Sequence, residues 1–288
     1  MKLDKSTLLP VGALMITMIS IQGGASLAKG LFASIGAEGT TAIRLTLGAL
    51  MLTLVLRPWR TRWRDGNWRS VTLYGVVLGG MNLLFFMALN RVPLGIAAAL
   101  QFTGPLAVAV GSSRRRIDFA WIILATAGLL LLTPIDASSH ALDPVGVVFG
   151  LASGACWGLY IIVGKRAGAQ HGAYTPAIGM IIAACVTLPI GLAHAGIGLF
   201  SPAILPIALI VAVLSSALPF SLEMYALRHM PAQTYGTLTS LEPAIGALSG
   251  LIFLHEALPP LQWLAIALII IASIGTTLTM KPKPVLPV

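Results

Sequence analysis

Ten long apolar segments follow one another along this chain of 288 residues and limit what it can fold into. A helix that crosses the hydrocarbon core of a bilayer needs about 20 mostly apolar residues, and these segments are about that long. The connections between them are too short for a soluble domain. We therefore predict an all-α integral membrane protein with ten transmembrane helices. The segments are roughly Leu8–Ala28, Thr41–Leu56, Ser70–Asn90, Leu94–Ser112, Ile117–Pro134, Pro144–Gly164, Tyr174–His194, Ala203–Leu227, Pro231–Leu254 and Pro259–Met280.

The composition excludes several classes of protein. Charged residues make up 9% of the chain and hydrophobic residues 57%, whereas an average soluble domain is about 25% charged. This excludes an ordinary soluble enzyme, a disordered chain and a DNA-binding domain. Cys156 and Cys185 lie in apolar runs and are predicted to be packing residues. The histidines lack the spacing of metal ligands and no nucleotide-binding signature is present, so we predict no metal and no cofactor.

The net charge of +9 follows from where the basic residues lie. If the N-terminus is cytoplasmic, fifteen of the 18 Lys and Arg residues fall on the cytoplasmic side and two on the other. Basic residues are enriched in the cytoplasmic loops of membrane proteins, so we predict that both termini are cytoplasmic. The basic excess is an orientation signal and does not indicate nucleic-acid binding.

An internal repeat relates the two halves of the chain. A shift of 138 residues superposes Pro93 on Pro231 and Pro105 on Pro243. We therefore predict two repeats of five helices, residues 1–139 and 140–288. Because five is an odd number, the second repeat enters the membrane from the opposite side and the repeats are inverted. Many secondary transporters use this arrangement for alternating access.

Three charged residues lie within the apolar segments. A charge at the centre of a membrane helix costs about 2.5–3.5 kcal/mol on insertion scales, so such residues are candidates for function. Glu242 lies near the midpoint of the ninth segment and is the strongest candidate. Glu223 lies near the cytoplasmic end of the eighth segment and could equally extend to water. Arg44, about one turn inside the outer end of the second segment, could extend outwards, pair with a carboxylate or contact a ligand.

Three prolines are predicted to bend or break their helices. Proline lacks an N–H and disfavours helix in the preceding residue. Pro105 and Pro243 fall at equivalent depths in the two repeats, and Pro219 lies in the eighth segment. Two interrupted helices near the axis that relates the repeats predict a site at their interface.

The ninth segment also carries a polar face. Tyr235, Thr239 and Glu242 recur at helical spacing. A polar face towards lipid is unfavourable, so it should line a cavity or form hydrogen bonds with a neighbouring helix. The other candidate site residues are uncharged polar side chains, each of which could instead be part of the packed core: Gln22, Asn82, Gln101, Thr103, Tyr160 and Ser240.

Several longer stretches are more specific than this pattern: residues 20–29, 102–109, 216–219, 222–224 and 241–244. In these stretches and in its hydropathy the whole chain resembles the EamA group of the drug/metabolite transporter superfamily. Arg44 matches the arginine that the family carries in its second span. The resemblance is strongest to the amino-acid exporters of that group.

The resemblance implies efflux of threonine, homoserine and their analogues across the bacterial inner membrane, driven by proton antiport. It also implies a central cavity lined by the first, third, fourth, sixth, eighth and ninth helices. The alternative is export of other small metabolites or drugs, such as cationic compounds or purines. Monomer and oligomer are both compatible with the sequence. A membrane enzyme would need clustered His, Asp or Cys residues near one interface, so we predict a transporter without enzymatic activity.

The candidate residues can be assigned to the parts of a zwitterionic amino acid. Glu242 could bind the ammonium group or carry the coupled proton. Backbone groups near Pro105 and Pro243, together with Asn82 or Gln22, could bind the carboxylate. The substrate hydroxyl could be bound by Thr103, Tyr235, Thr239 or Ser240.

Overall fold

A computed structural model describes residues 5–58, 68–111, 117–132, 142–171, 174–219, 222, 226 and 238–279, and the regular secondary structure in these ranges is helical. The helices begin and end close to the predicted boundaries in most cases. They are α1 (Lys5–Lys29), α2 (Phe32–Leu56), α3 (Trp68–Leu89), α4 (Leu94–Gly111), α5 (Ile117–Leu132), α6 (Pro144–His171), α7 (Thr175–Ala195), α8 (Leu205–Ala212), α9 (Glu242–Leu254) and α10 (Pro260–Thr279).

Five of the described helical segments are long and apolar enough to cross a membrane: Leu9–Lys29, Phe32–Leu56, Trp68–Leu89, Pro144–Ala169 and Thr175–Phe200. Four shorter segments are also apolar: Leu94–Val108, Leu205–Ala217, Glu242–Leu254 and Pro260–Gly275. Large apolar side chains such as Leu54, Val55 and Ile123 are exposed on the outside of the bundle. Because lipid rather than water covers such a surface, the structure is that of an all-α membrane protein.

The second helix corrects one predicted boundary. It begins at Phe32, not at Thr41, and bends at Gly36, whose positive φ of 70° a glycine tolerates well. The hydroxyls of Thr40 and Thr41 donate to the carbonyls of the preceding turn, at 2.7 and 2.8 Å. The hydroxyl groups of both residues are therefore hydrogen-bonded within α2. Arg44 consequently lies at the middle of α2, and the expectation that it lies about one turn from the end is wrong.

The fourth helix also departs from expectation. It continues as one helix through Pro105, so a complete break there is wrong. Ending the helix at Pro105 would leave several backbone groups without partners, which is costly where there is no water. Continuing the helix costs only the one hydrogen bond that the proline cannot donate. Close packing also constrains this segment, since a side chain on Gly104 would collide with the carbonyl oxygen of Gly154 in α6.

The eighth helix changes its winding before Pro219. After α8, residues Val213–Ala217 form a π-helical turn, and the chain is again α-helical at Leu218 and Pro219. A π turn is a common cause of a local distortion in a membrane helix. The expected interruption near Pro219 thus takes the form of a π turn that precedes the proline.

The helices pack in a pattern that is nearly symmetric between α1–α5 and α6–α10. α2 packs against α7, α4 against α9 and α5 against α10. Three further contacts have symmetric counterparts. The contact between α3 and α6 corresponds to the contact between α1 and α8, and the contact between α4 and α6 corresponds to the contact between α1 and α9. The contact between α3 and α7 corresponds to the contact between α2 and α8. Exchanging each helix with the one five positions away leaves these contacts unchanged.

Glu256, in the loop between α9 and α10, joins three segments at one end of the bundle. Its carboxylate forms an ion pair with Lys29 at the end of α1. The same carboxylate accepts the backbone N–H of Leu94, the first residue of α4, at 2.8 Å. A carboxylate at a helix N-terminus also interacts favourably with the helix dipole. Because Glu256 is only 14% exposed, these contacts are poorly screened by water.

We expect Glu256→Ala to lower the free energy of unfolding by about 1–3 kcal/mol, since it leaves Leu94 N–H and Lys29 without their acceptor. Glu256→Gln should cost less, because its amide oxygen can still accept the Leu94 N–H. The matched control is Asp143→Asn, whose carboxylate pairs with Arg91 at an exposed position. The melting temperatures of these three variants and of the wild type in detergent test this prediction. Equal melting temperatures for Glu256→Ala and the wild type would contradict this role.

Candidate functional site

A cavity of about 150 Å³ lies among the helices. All six helices expected from the sequence contribute to its wall, the eighth through Ser215 and Pro219, and α2 and α7 contribute as well. The lining residues are Leu14, Thr17, Met18, Ile21, Gln22, Ala25, Arg44, Leu45, Leu78, Met81, Asn82, Phe85, Phe86, Gln101, Trp157, Tyr160, Met180, Ser215, Pro219, Thr239 and Glu242. An apolar cavity of similar volume binds benzene in another protein, so this space suits a small molecule.

Glu242 forms one part of the wall. A turn at Ser240 and Leu241 precedes α9, which begins at Glu242 with Pro243 in its first turn. Glu242 is half-buried, and its Oε1 accepts a hydrogen bond of 3.2 Å from Gln22 Nε2 of α1. The N-terminus of a helix favours a negative charge. The surroundings of Glu242 therefore include two features that stabilise a carboxylate.

Arg44 forms another part of the wall. It is only 4% exposed, and its guanidinium donates to Asn82 Oδ1 of α3 and to Ser215, at 3.3 Å to the carbonyl and 3.2 Å to the hydroxyl. The guanidinium also lies 4.7 Å from the centre of the Phe86 ring. Burial and these contacts show that Arg44 does not extend to the membrane surface.

Pro219 explains why acceptors are available beside Arg44. Having no N–H, it cannot donate to the carbonyls of Ser215 and Leu214, four and five residues earlier. The guanidinium of Arg44 donates to the Ser215 carbonyl, and the hydroxyl of Ser20 in α1 donates to the Leu214 carbonyl at 2.6 Å. The proline therefore allows α1 and α2 to bond to the distorted eighth helix.

Side chains of α4 and α6 complete the polar part of the wall. Gln101 Nε2 donates to Ser153 Oγ at 2.9 Å, and that hydroxyl donates to the Met81 carbonyl at 2.7 Å. The hydroxyls of Tyr74 and Tyr160 lie 3.0 Å apart. This hydrogen bonding fixes the orientation of Gln101 and Tyr160 at the cavity.

The cavity brings together most of the candidates selected from the sequence: Gln22, Arg44, Asn82, Gln101, Tyr160, Pro219, Thr239 and Glu242. Four other described candidates do not line it: Thr103, Ser240, Pro105 and Pro243. Thr103 donates to the Leu100 carbonyl at 2.6 Å, and the buried Ser240 hydroxyl bonds to Ser273 Oγ at 2.8 Å. Because the Thr103 hydroxyl bonds within its own helix and the Ser240 hydroxyl bonds to α10, the structure gives no support to their expected binding of the substrate hydroxyl. Glu223 and Tyr235 lie outside the described residues.

Sequence reasoning missed several lining residues. Thr17 lies on the face of α1 that carries Ile21 and Ala25, and its spacing from Gln22 could not have identified it. Ser215 could have been identified because it precedes Pro219 by one helical turn. Phe86 gives no local signal, since an aromatic residue in an apolar segment is ordinary. No group of three or more potential metal ligands occurs in the described parts of the chain.

The chain matches the EamA-like transporter family over residues 8–133 and again over residues 144–278. The chain belongs to the EamA-like transporter family. It is 52% identical to the threonine/homoserine exporter RhtA of Escherichia coli (strain K12), across 96% of this chain and 93% of that protein. The RhtA of Salmonella typhimurium (strain LT2) is also 52% identical, across 96% and 94%. The uncharacterized transporter YwfM of Bacillus subtilis (strain 168) is 28% identical, across 80% of each chain.

The fold has a counterpart among solved structures. One crystal structure with 19% sequence identity superposes with a TM-score of 0.59 and covers 93% of this chain and 96% of the other. At this identity the likeness concerns the fold alone. Together with the apolar helices, family membership makes the chain a multi-pass transporter of the bacterial inner membrane that acts on small molecules.

Proposed function

We propose that the protein exports threonine, homoserine and related amino acids from the cytoplasm in exchange for protons. The observation that carries this proposal is a carboxylate, Glu242, beside a buried amide in a cavity large enough for one small molecule. The names of the 52% identical relatives support threonine and homoserine as substrates. Transport, rather than catalysis, is the activity that such a site serves.

The ammonium group of the amino acid binds at Glu242. An ammonium has three N–H donors. Glu242 offers carboxylate oxygens, and Gln22 Oε1, a buried atom with no hydrogen-bond partner in the described parts of the chain, offers an amide oxygen. Aromatic side chains also line the cavity, but a cationic drug is disfavoured there because the guanidinium of Arg44 already covers Phe86. Repulsion from this buried positive charge favours a zwitterion over a cation.

Proton coupling follows from competition for one carboxylate. Ionised Glu242 accepts the substrate ammonium, whereas protonated Glu242 has lost the charge that attracts it. If the carboxylate crosses between the two access states only with a proton or an amino acid bound, substrate leaves the cytoplasm as protons enter.

Alternating access is provided by two inverted repeats, residues 1–139 and 140–288, which together form ten transmembrane helices with both termini in the cytoplasm. The two separate matches to the family and the symmetric packing of α1–α5 and α6–α10 support this arrangement. Two repeats of opposite orientation can exchange conformations and open the central cavity to one side and then the other.

We expect Glu242→Gln to abolish proton-driven transport. Proteoliposomes with an acidic interior should accumulate threonine through the wild-type protein, because protons leave as threonine enters. A glutamine at residue 242 can neither carry the proton nor pair with the ammonium, so accumulation should fall at least about ten-fold, as expected for loss of a charge-assisted contact. Asp143→Asn is the matched control and should transport normally. Undiminished accumulation by Glu242→Gln would exclude the coupling role.

Filling the cavity should also block transport. Ala25 is buried and lines the cavity, whereas Leu27, half a turn away, is 45% exposed on the outside of α1. Overpacking costs about 1–3 kcal/mol, so Ala25→Phe should weaken threonine binding by about five- to hundred-fold. Leu27→Phe should leave it unchanged. Equal threonine counterflow by the two variants would show that the substrate passes elsewhere.

A further inference from the structure

Arg44 is a buried cation whose described contacts are all with uncharged groups. Its guanidinium donates to an amide oxygen of Asn82 and to the carbonyl and hydroxyl of Ser215, and it covers the ring of Phe86. The ion pairs among the described residues have Lys29 and Arg91 as the basic partners, and the His194 imidazole lies 3.8 Å from the Glu38 carboxylate. Within the described ranges, therefore, no carboxylate of the protein pairs with Arg44.

One donor of the guanidinium is left over. Arg44 Nε is buried and has no hydrogen-bond acceptor among the residues that the structure describes. Leaving both a charge and a donor unsatisfied inside a membrane protein is costly, and uncharged acceptors offset only part of that cost. An anionic group in the cavity would supply the missing charge and the missing acceptor together.

The guanidinium is held in position before any ligand binds. Asn82 is fixed because its Nδ2 donates to the Leu78 carbonyl at 2.8 Å, and Ser215 Oγ donates to the Val211 carbonyl at 2.6 Å. These bonds anchor Arg44 to two helices other than its own. A cation that is already oriented loses little conformational freedom on binding, and arginine can bind a carboxylate through two parallel hydrogen bonds.

We propose that Arg44 binds the α-carboxylate of the transported amino acid, so that the cavity selects molecules that carry both an ammonium and a carboxylate. This inference rests on the proposed function, in which Glu242 binds the ammonium. Arg44 and Glu242 line the same cavity, and each of them attracts the end of the zwitterion that the other repels. Asn82 and Ser215 act as positioning residues for the guanidinium, and the backbone near the prolines is not required for the carboxylate.

Binding to the purified protein in detergent tests this inference. Titration calorimetry with threonine and with threonine amide compares a carboxylate with an uncharged amide on the same molecule. A buried charge pair accounts for about 30-fold or more in affinity, so the wild type should prefer threonine by at least that factor. Arg44→Gln should lose the preference, with threonine binding no tighter than threonine amide. Arg44→Lys should keep a preference but bind threonine more weakly, because it lacks the planar guanidinium fork.

Asn82→Asp tests the same assignment while it retains the guanidinium. The new carboxylate replaces the amide oxygen on Arg44 and competes with the substrate carboxylate, so threonine affinity should fall about ten-fold or more. A wild-type protein that binds threonine amide as tightly as threonine overturns the inference, even if Arg44→Gln does not fold. So does a folded Arg44→Gln that keeps the full preference, or an Asn82→Asp with unchanged affinity. Failure of the wild type to bind either compound would instead contradict the proposed function.

Discussion

The absence of water in the bilayer core is the constraint on which the rest of this structure depends. Backbone polar groups inside the bundle must find hydrogen-bond partners within the protein, and burying an unpaired polar or charged side chain is costly. Some side chains find partners locally, as when Thr40 and Thr41 donate to carbonyls of their own helix. Arg44 and Glu242 are different, because they bring charge into this environment and meet at a cavity. At the cavity, these two charges are available to bind a charged molecule.

Prolines help to create the polar surface of this cavity. Pro219 withholds an N–H from two carbonyls, and side chains from α1 and α2 occupy them instead. Pro243 lies in the first turn of α9 and so places Glu242 at a helix N-terminus. Both effects follow from the chemistry of the proline ring. The same residues that distort the helices thereby orient the groups that we assign to the substrate.

Much of the site could be predicted from the sequence because charge and amide groups are conspicuous in an apolar chain. Glu242, Gln22 and Asn82 were selected on that basis and line the cavity. The central position of Arg44 in α2 could not be predicted in the same way. Thr40 and Thr41 lie inside this helix and bond to its carbonyls, but in the sequence such polar residues resemble a loop. Ser240 and Thr103 were selected for their hydroxyls, but the Ser240 hydroxyl bonds to Ser273 of α10 and the Thr103 hydroxyl donates to the Leu100 carbonyl of its own helix. Side-chain direction depends on helix rotation, which apolar periodicity specifies poorly when lipid and protein interior are both apolar.

The most direct measurement is a structure of the protein determined with homoserine bound in lipid nanodiscs. It should place one homoserine molecule in the cavity, with its carboxylate on the guanidinium of Arg44 and its ammonium between Gln22 and Glu242. Homoserine bound in the opposite orientation, or bound outside this cavity, would contradict the account.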